Sequence, residues 1–160
     1  MQIRKYREED LPCIMELGNV AWRPIRRVQR ETLGDEIFNI LHPLGADVDK
    51  GLEIEAFAKE TPDNIFVCED DNGRIIGFIL FRMNKNGVGE ICNNAADKTC
   101  GIKGIGQAMY AAVLKHFREN GMKVVCVHTG LDEGHAPARR AYERAGFSLQ
   151  TQHTTYYMKL

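Results

Sequence analysis

The chain opens with a short alternation, Gln2-Ile3-Arg4-Lys5, that predicts a strand over residues 2–5. Glu8, Glu9 and Asp10 then put negative charge where a helix begins, and Pro12 suits its first turn. Ile14, Leu17 and Ala21 follow at helical spacing, and this helix is predicted to end near Trp22 because Pro24 lies just beyond. Val28, Leu33, Ile37, Ile40 and Leu41 predict a second helix that His42-Pro43 stops. Residues 44–50 read as loop, and Leu52, Ile54, Phe57 and Ala58 as a further short helix.

From residue 65 the period changes. Residues 65–68 and 75–81 are apolar runs joined by the turn Asp70-Asp71-Asn72-Gly73, and the second run is apolar on both faces, which predicts a central strand. A turn at 84–87 leads into a strand at 89–96, so three strands form an antiparallel meander. Ile105, Met109, Ala112, Val113 and Phe117 then line one stripe of a helix over 104–120, closed by Gly121. Residues 124–127 form a short apolar strand, and 136–145 a helix with Pro137 near its start and Gly146 past its end. Residues 147–151 and 155–159 read as a final hairpin. The order predicts one α/β domain over residues 1–160, an α+β mixed sheet that is antiparallel early and carries a βαβ unit later.

Composition narrows the function. With 160 residues, 44% hydrophobic and 27% charged, the chain has material for one ordinary core. A net charge of −1 argues against a nucleic-acid partner that depends on basic excess. No apolar run reaches the ~18 residues of a membrane helix, and no apolar segment follows Met1, so no membrane partner and a cytoplasmic location are expected. Cys13, Cys68, Cys92, Cys100 and Cys126 are odd in number and include no CxxC pair, and no His/Glu cluster has metal spacing. Reduced thiols and no metal are expected, with Cys92 and Cys100 the two held open for a functional role.

The most informative segment is Ile102-Lys103-Gly104-Ile105-Gly106-Gln107, between a strand and a striped helix. Glycines there let a ligand approach the backbone, and the helix start offers unpaired N–H groups to a phosphate or pyrophosphate. A plain strand-to-helix turn has the same composition. A Walker A loop is excluded by the lack of Gly-Lys-Ser/Thr, and a dinucleotide fingerprint by Met109 standing where a third small residue belongs.

The run Asn93-Asn94-Ala95-Ala96-Asp97 with Ile102-Lys103-Gly104-Ile105-Gly106 resembles the acetyl-CoA-binding motif of the GNAT superfamily of N-acetyltransferases. Ala138-Arg139-Arg140-Ala141-Tyr142-Glu143-Arg144-Ala145-Gly146-Phe147 resembles the same family's A-x-x-x-Y-E-x-x-G-F ending. The resemblance is sharp over 74–147 and implies a GNAT-like acyl-CoA N-acyltransferase fold: a central, mostly antiparallel sheet, splayed at the CoA site and flanked by helices. It implies acetyl-CoA as co-substrate, with Asn94, Ala95 and Ala96 against the pantetheine arm by strand addition. The amides of Ile102, Lys103, Gly104, Ile105, Gly106 and Gln107 would hold the pyrophosphate. The thioester would enter the V between the strands containing Cys92 and Val127. Two positions depart from the family pattern: Gly101 stands where Arg or Gln is usual, and His135 where an Asn is frequent. A histidine can still donate one hydrogen bond to cofactor or tyrosine.

Acetyl transfer to a primary amine needs a base for the ammonium, a donor for the oxyanion and a proton for the thiolate. Glu90 matches in position a family glutamate that acts as base, often through water, and Tyr142 the acid toward sulfur. By residue type alone Glu90 also reads as a solvated turn residue, Tyr142 as an amphipathic core residue, and His128 as a second base at a strand end. Family acceptor pockets are built from the first two helices and the C-terminal strands, which here contain Trp22, Arg26 and Tyr156, with His128 nearby. Residues 23–30 hold four arginines and no acid, a pattern that suits an acidic substrate, the CoA 3′-phosphate or a solvated helix face. A homodimer through the C-terminal strands fits the family. Gly101 and His135 also suit a catalytically weak or inactive CoA-binding sensor or interaction module, and an acyltransferase with another acyl donor or acceptor shares the same residues.

Overall fold

The alternating segments pair as their pattern requires. In the computed structural model, which describes all 160 residues, strands β1 (Gln2–Lys5), β2 (Ile65–Glu69), β3 (Ile75–Met83), β4 (Val88–Ala96) and β5 (Val124–Val127) form one sheet in that order. All neighbours are antiparallel except β4 and β5. The reason is the connection: helix α3 (Ile105–Glu119) crosses between β4 and β5, while tight turns join β2, β3 and β4. β3 is central and buried from Ile75 to Phe81, as its two-faced apolar run predicts.

Two cores lie on opposite faces of the sheet. On one, α3 and α4 (Ala136–Arg144) bury Ile79, Phe81, Ile91, Met109, Val113, Phe117 and Tyr142. On the other, α1 (Leu11–Leu41) and α2 (Asp49–Glu60) bury Ile14, Ile54, Phe57, Val67, Phe78 and Leu80. Two glycines let α3 lie flat. A Cβ on Gly89 would stand 2.8 Å from the Phe117 ring, and one on Gly77 would stand 2.9 Å from Ile105 and 3.1 Å from the Ala95 carbonyl.

Two predicted boundaries are corrected. The first helix does not stop at Trp22: after a short 3-10 turn at Glu8–Asp10, it runs through Pro24 to Leu41, and its break falls at Gly34 (φ 75°, ψ 161°). Proline removes a hydrogen bond to the carbonyl four residues back. Here that residue is Val20, on the same exposed side as Pro24, so water can satisfy the freed oxygen. Contacts to α2 hold the helix together across this point: Arg26 pairs with Asp49 at 2.9 Å, and Trp22 lies under Lys50. α2 itself starts at Asp49 rather than near Leu52.

The final hairpin is absent. Residues 148–160 pair with no strand, and Leu149, Tyr156 and Met158 are largely exposed. A lone hairpin is marginal in water and needs a sheet to dock on. This segment has the polar run Gln150 to Thr155 at its centre and offers no continuous apolar face, and its Lys159 is held only by an ion pair to Glu36.

A buried charge cluster fixes the first strand to the rest. Arg4 makes paired hydrogen bonds to Asp10 at 2.7 and 2.8 Å and a third to Glu69 at 2.5 Å, and the Arg7 amide donates to Asp10 at 2.8 Å. Burial pushes the Asp10 carboxyl up, but the Arg4 hydrogen bonds and charge and the Arg7 amide outweigh it and hold it below the usual carboxylate range. Its stabilisation is therefore complete above the unfolded value of ~3.9 and is lost as pH falls through the lower folded value. Urea unfolding from pH 7 to pH 2 should show this acid loss in the wild type and a smaller one in Asp10→Asn. Asp10→Ala, which leaves the Arg4 guanidinium without its main partner, should cost about 3–5 kcal/mol at pH 7.

Candidate active site

The site is built around a bulge in β4. Leu80 pairs with Asn93 and Phe81 with Ile91, so Cys92 is one residue in excess. The bulge reverses the alternation of side chains. Ile91 faces the α3 layer, and regular pleating would send Asn93 and Ala95 there too. Instead Asn94 and Ala96 face α3 and α4, while Cys92, Asn93 and Ala95 face α1 and α2. Pairing with β5 ends at Ile91 and Val127, whereas pairing with β3 continues to Ala96. From Cys92 to Ala96 the β5 side of β4 thus has no strand partner, and the sheet splays where the motif predicts. Asn94, Ala95 and Ala96 lie on this open edge.

Beyond the edge, the chain turns through Asp97. The Asp97 carboxylate accepts from the Thr99 amide at 2.7 Å and the Thr99 hydroxyl at 2.6 Å, and it pairs with Arg74. The Thr99 hydrogen bonds in particular hold it below the usual carboxylate range. Gly101 (φ 76°) and Gly104 (φ 82°, ψ 4°) then adopt the left-handed conformation, and Gly104 begins α3 without a side-chain cap. At Gly101 that conformation disfavours the Arg or Gln usual in the family motif. The first helical bond is Ala108 to Gly104 at 2.9 Å, and the amides from Ile102 to Gln107 donate to no group of the protein. These unpaired donors at a helix start form a cradle for an anion.

Tyr142 reaches β4 from α4. Its hydroxyl accepts from Asn94 Nδ2 at 3.2 Å, and Asn94 Oδ1 accepts from the Tyr110 hydroxyl at 2.9 Å. In this arrangement the Asn94 amide bridges the two phenols, donating to Tyr142 and accepting from Tyr110. Burial pushes Tyr142 above the usual phenol range, against the hydrogen bonds from Asn94 and Tyr110. Tyr110 rises further, chiefly by burial. His135 does not touch Tyr142; its ring is 2.6 Å from Asp132, and it forms the turn that leads into α4.

Glu90 lies on the other face of the sheet. It pairs across from Arg82, whose guanidinium covers Phe57 of α2, and His128 Nε2 lies 3.8 Å from its carboxylate. Cys126, in register with Glu90, and Cys92 share this face. Burial, then the charge of Glu90, pushes the Cys92 thiol up to about 11, and the same causes raise Cys126. Trp22 sits beneath the Lys50 ammonium at 4.6 Å, and that ammonium, buried and paired with Glu53, lies 3.5 Å from Asn93 Oδ1. Arg26 is drawn to Asp49 and Glu53 of the same helix. Tyr156 is 91% exposed and is not brought to these residues. Sequence reading passed over Tyr110 and Lys50. Tyr110 adjoins Met109 of the α3 stripe, and Lys50 fell in a segment read as loop.

Three comparisons bear on this arrangement. The model of the acetyltransferase (GNAT) family matches residues 31–147. A mycothiol acetyltransferase of Segniliparus rotundus is 29% identical over 100 residues, 59% of this chain and 37% of that protein. The chain spans about a third of the length of the curated relatives it matches. Among solved structures, the PaiA N-acetyltransferase from Thermoplasma acidophilum, crystallised with coenzyme A, superposes with a TM-score of 0.68 at 17% identity, over 95% of this chain and 92% of that one. Ard1 from Thermoplasma volcanium gives 0.67 at 20% identity, over 94% and 84%. At these identities the structural likeness concerns the fold.

The Tyr110–Asn94–Tyr142 chain yields a direct test. Tyr110→Phe removes one buried hydrogen bond and leaves Asn94 Oδ1 unpaired, so urea unfolding should show a loss of about 1–3 kcal/mol. A loss within error of zero would mean that Tyr110 does not set the Asn94 amide.

Proposed function

This chain belongs to the acetyltransferase (GNAT) family, and from that premise we propose that it is an acetyl-CoA-dependent N-acetyltransferase that moves an acetyl group to a primary amine. The observation that carries the reading is the open edge of β4 leading into a row of unpaired amides at the start of α3. An extended amide-bearing arm fits the first, and a pyrophosphate the second. Coenzyme A has both, in that order. Asn94 to Ala96 would pair with the pantetheine, and Ile102 to Gln107 with the phosphates. His135 would contribute by holding the turn before α4 in place.

The two faces of the splay divide the chemistry. On the α1–α2 face, Glu90 takes the proton of the incoming ammonium, through a water. The amine nitrogen attacks the thioester carbonyl, its C–N bond forms, the C–S bond breaks with its electron pair going to sulfur, and the nitrogen gives up its second proton to water. On the α3–α4 face, Tyr142 supplies the proton that this thiolate takes up. Burial keeps the phenol protonated at neutral pH, and Asn94 holds its oxygen beside the open edge of β4. Transfer is direct. With its thiol pushed up to about 11, Cys92 is thiolate only to roughly one part in ten thousand at pH 7, which disfavours an acyl-cysteine intermediate. Trp22, Arg26 and His128 line the approach of the amine; Tyr156 joins them only if the C-terminal segment folds over the site.

Acetyl-CoA at about 100 times its Kd should stabilise the chain by roughly 2.7 kcal/mol, read as a rise in Tm. Free-thiol release with a panel of amines should fall by about 10²–10⁴ in kcat for Glu90→Gln and for Tyr142→Phe, with the Tm rise retained. Cys92→Ala should turn over. Wild-type turnover matched by both first variants would remove the two assignments, and no Tm response to acetyl-CoA or CoA would remove the reading itself.

A further inference from the structure

Beyond the splay, α1 presents a face of arginines that the transfer chemistry does not use. Arg23, Arg26, Arg27 and Arg30 line one cavity of about 390 Å³, closed on its far side by the α1–α2 loop at Gly45 to Asp47. The cations are incompletely neutralised. Arg23 has no carboxylate partner, Arg27 has Glu31 only at 3.9 Å and Arg30 has Asp35 at 3.5 Å, while Arg26 is held by Asp49. Arg30 is fixed over the Phe38 ring at 4.5 Å, and the buried Arg26 Nε has no acceptor. One carboxylate, Asp47, lies on the wall. The loop adds donors of its own: the Ala46 and Asp47 amides, just before α2, donate to no group of the protein.

The cavity is next to the proposed transfer site. Trp22 contacts Lys50, which reaches Asn93 on the splayed strand, and Ile25 packs against Gly134 of the turn that leads to α4. The arginine face begins with the next residue and extends about 10 Å along the helix.

We infer that this cavity binds the phosphate group of the acceptor, so that the acceptor is a small primary amine bearing a phosphate dianion. The inference rests on the acetyl-transfer reading for the amine and on the cavity alone for the anion. Planar guanidinium groups with partly free donors, joined by unpaired amides, match the several acceptor oxygens of a phosphate. A neutral or cationic tail would find only like charge or lost hydration there.

The test is calorimetric titration of the full chain, with and without CoA, using 2-aminoethyl phosphate and ethanolamine as probes. The phosphate-bearing amine should bind at least about ten-fold more tightly. The preference should vanish in the double variant Arg27→Gln/Arg30→Gln and weaken in Arg23→Gln, where exposed side chains are replaced. Equal binding of the two amines, or a preference that survives the double variant, would overturn the inference. CoA and dephospho-CoA supply the third arm. The double variant should affect both equally; a loss confined to CoA would assign the arginines to the 3′-phosphate and overturn the acceptor site. Failure of the transfer reading is separate: it shows as no thiol release with any amine and leaves the calorimetric difference standing.

Discussion

The interruption of hydrogen bonding along β4 is the constraint on which the rest of the site depends. A strand inside a sheet has no backbone groups to spare. β4 gains them because Cys92 is inserted opposite β3 and because β5 ends at Val127. The same extra residue re-aims the side chains. Under regular pleating Asn94 would face α2 and lie out of reach of the Tyr142 hydroxyl. The end of β5 thus gives β4 its free edge, and the bulge assigns Glu90 and Asn94 to opposite faces.

The two helical layers then take different parts. The α3–α4 layer is seated closely: Gly77 and Gly89 let α3 approach the sheet to within side-chain contact, so the helix start, with its unpaired amides, is held rigidly beside the open edge. Rigidity suits a cradle for a cofactor whose shape does not vary. The α1–α2 layer is bound by ion pairs and by the Trp22–Lys50 contact as well as by apolar packing, and it presents charge at its rim. Such a surface can be retuned for an acceptor without disturbing the core on the other face.

The electrostatics favour a direct reaction. Two thiols lie on the face of Glu90, and burial with that carboxylate raises both. Burial is the larger cause, and the Glu90 carboxylate adds to it. Tyr142 is displaced in the same direction by burial, which keeps it a donor. Burial thus keeps all three groups, on the two faces of the sheet, in their protonated forms.

Much of this was legible in the chain. Period-2 and period-3.6 patterns gave the meander, α3 and the β5–α4 unit to within a residue or two, because those segments bury one face or both and the burial is written in the pattern. Gly104 and Gly106 marked the loop, and Gly101, read as a departure from the family pattern, proves to share the left-handed conformation of Gly104 that glycine takes without cost. The continuation of α1 through Pro24 was not legible, since it depends on α2 contacts and on the freed carbonyl facing water. The absence of the final hairpin was not legible either, because short alternation is shared by strands that find an edge and segments that do not. The bulge at Cys92, the role of Tyr110 and the placement of Lys50 beside Asn93 came only from the tertiary structure. Each is a relation between residues distant in sequence, fixed by how strands register and helices pack, and no local pattern of side chains encodes it. The sequence by itself determined the meander, α3 and the β5–α4 unit, because their burial is written in local patterns; the fold decided how far α1 runs, that the C-terminal segment stays unpaired, and which side chains meet at the open edge of β4, because those depend on contacts between distant segments.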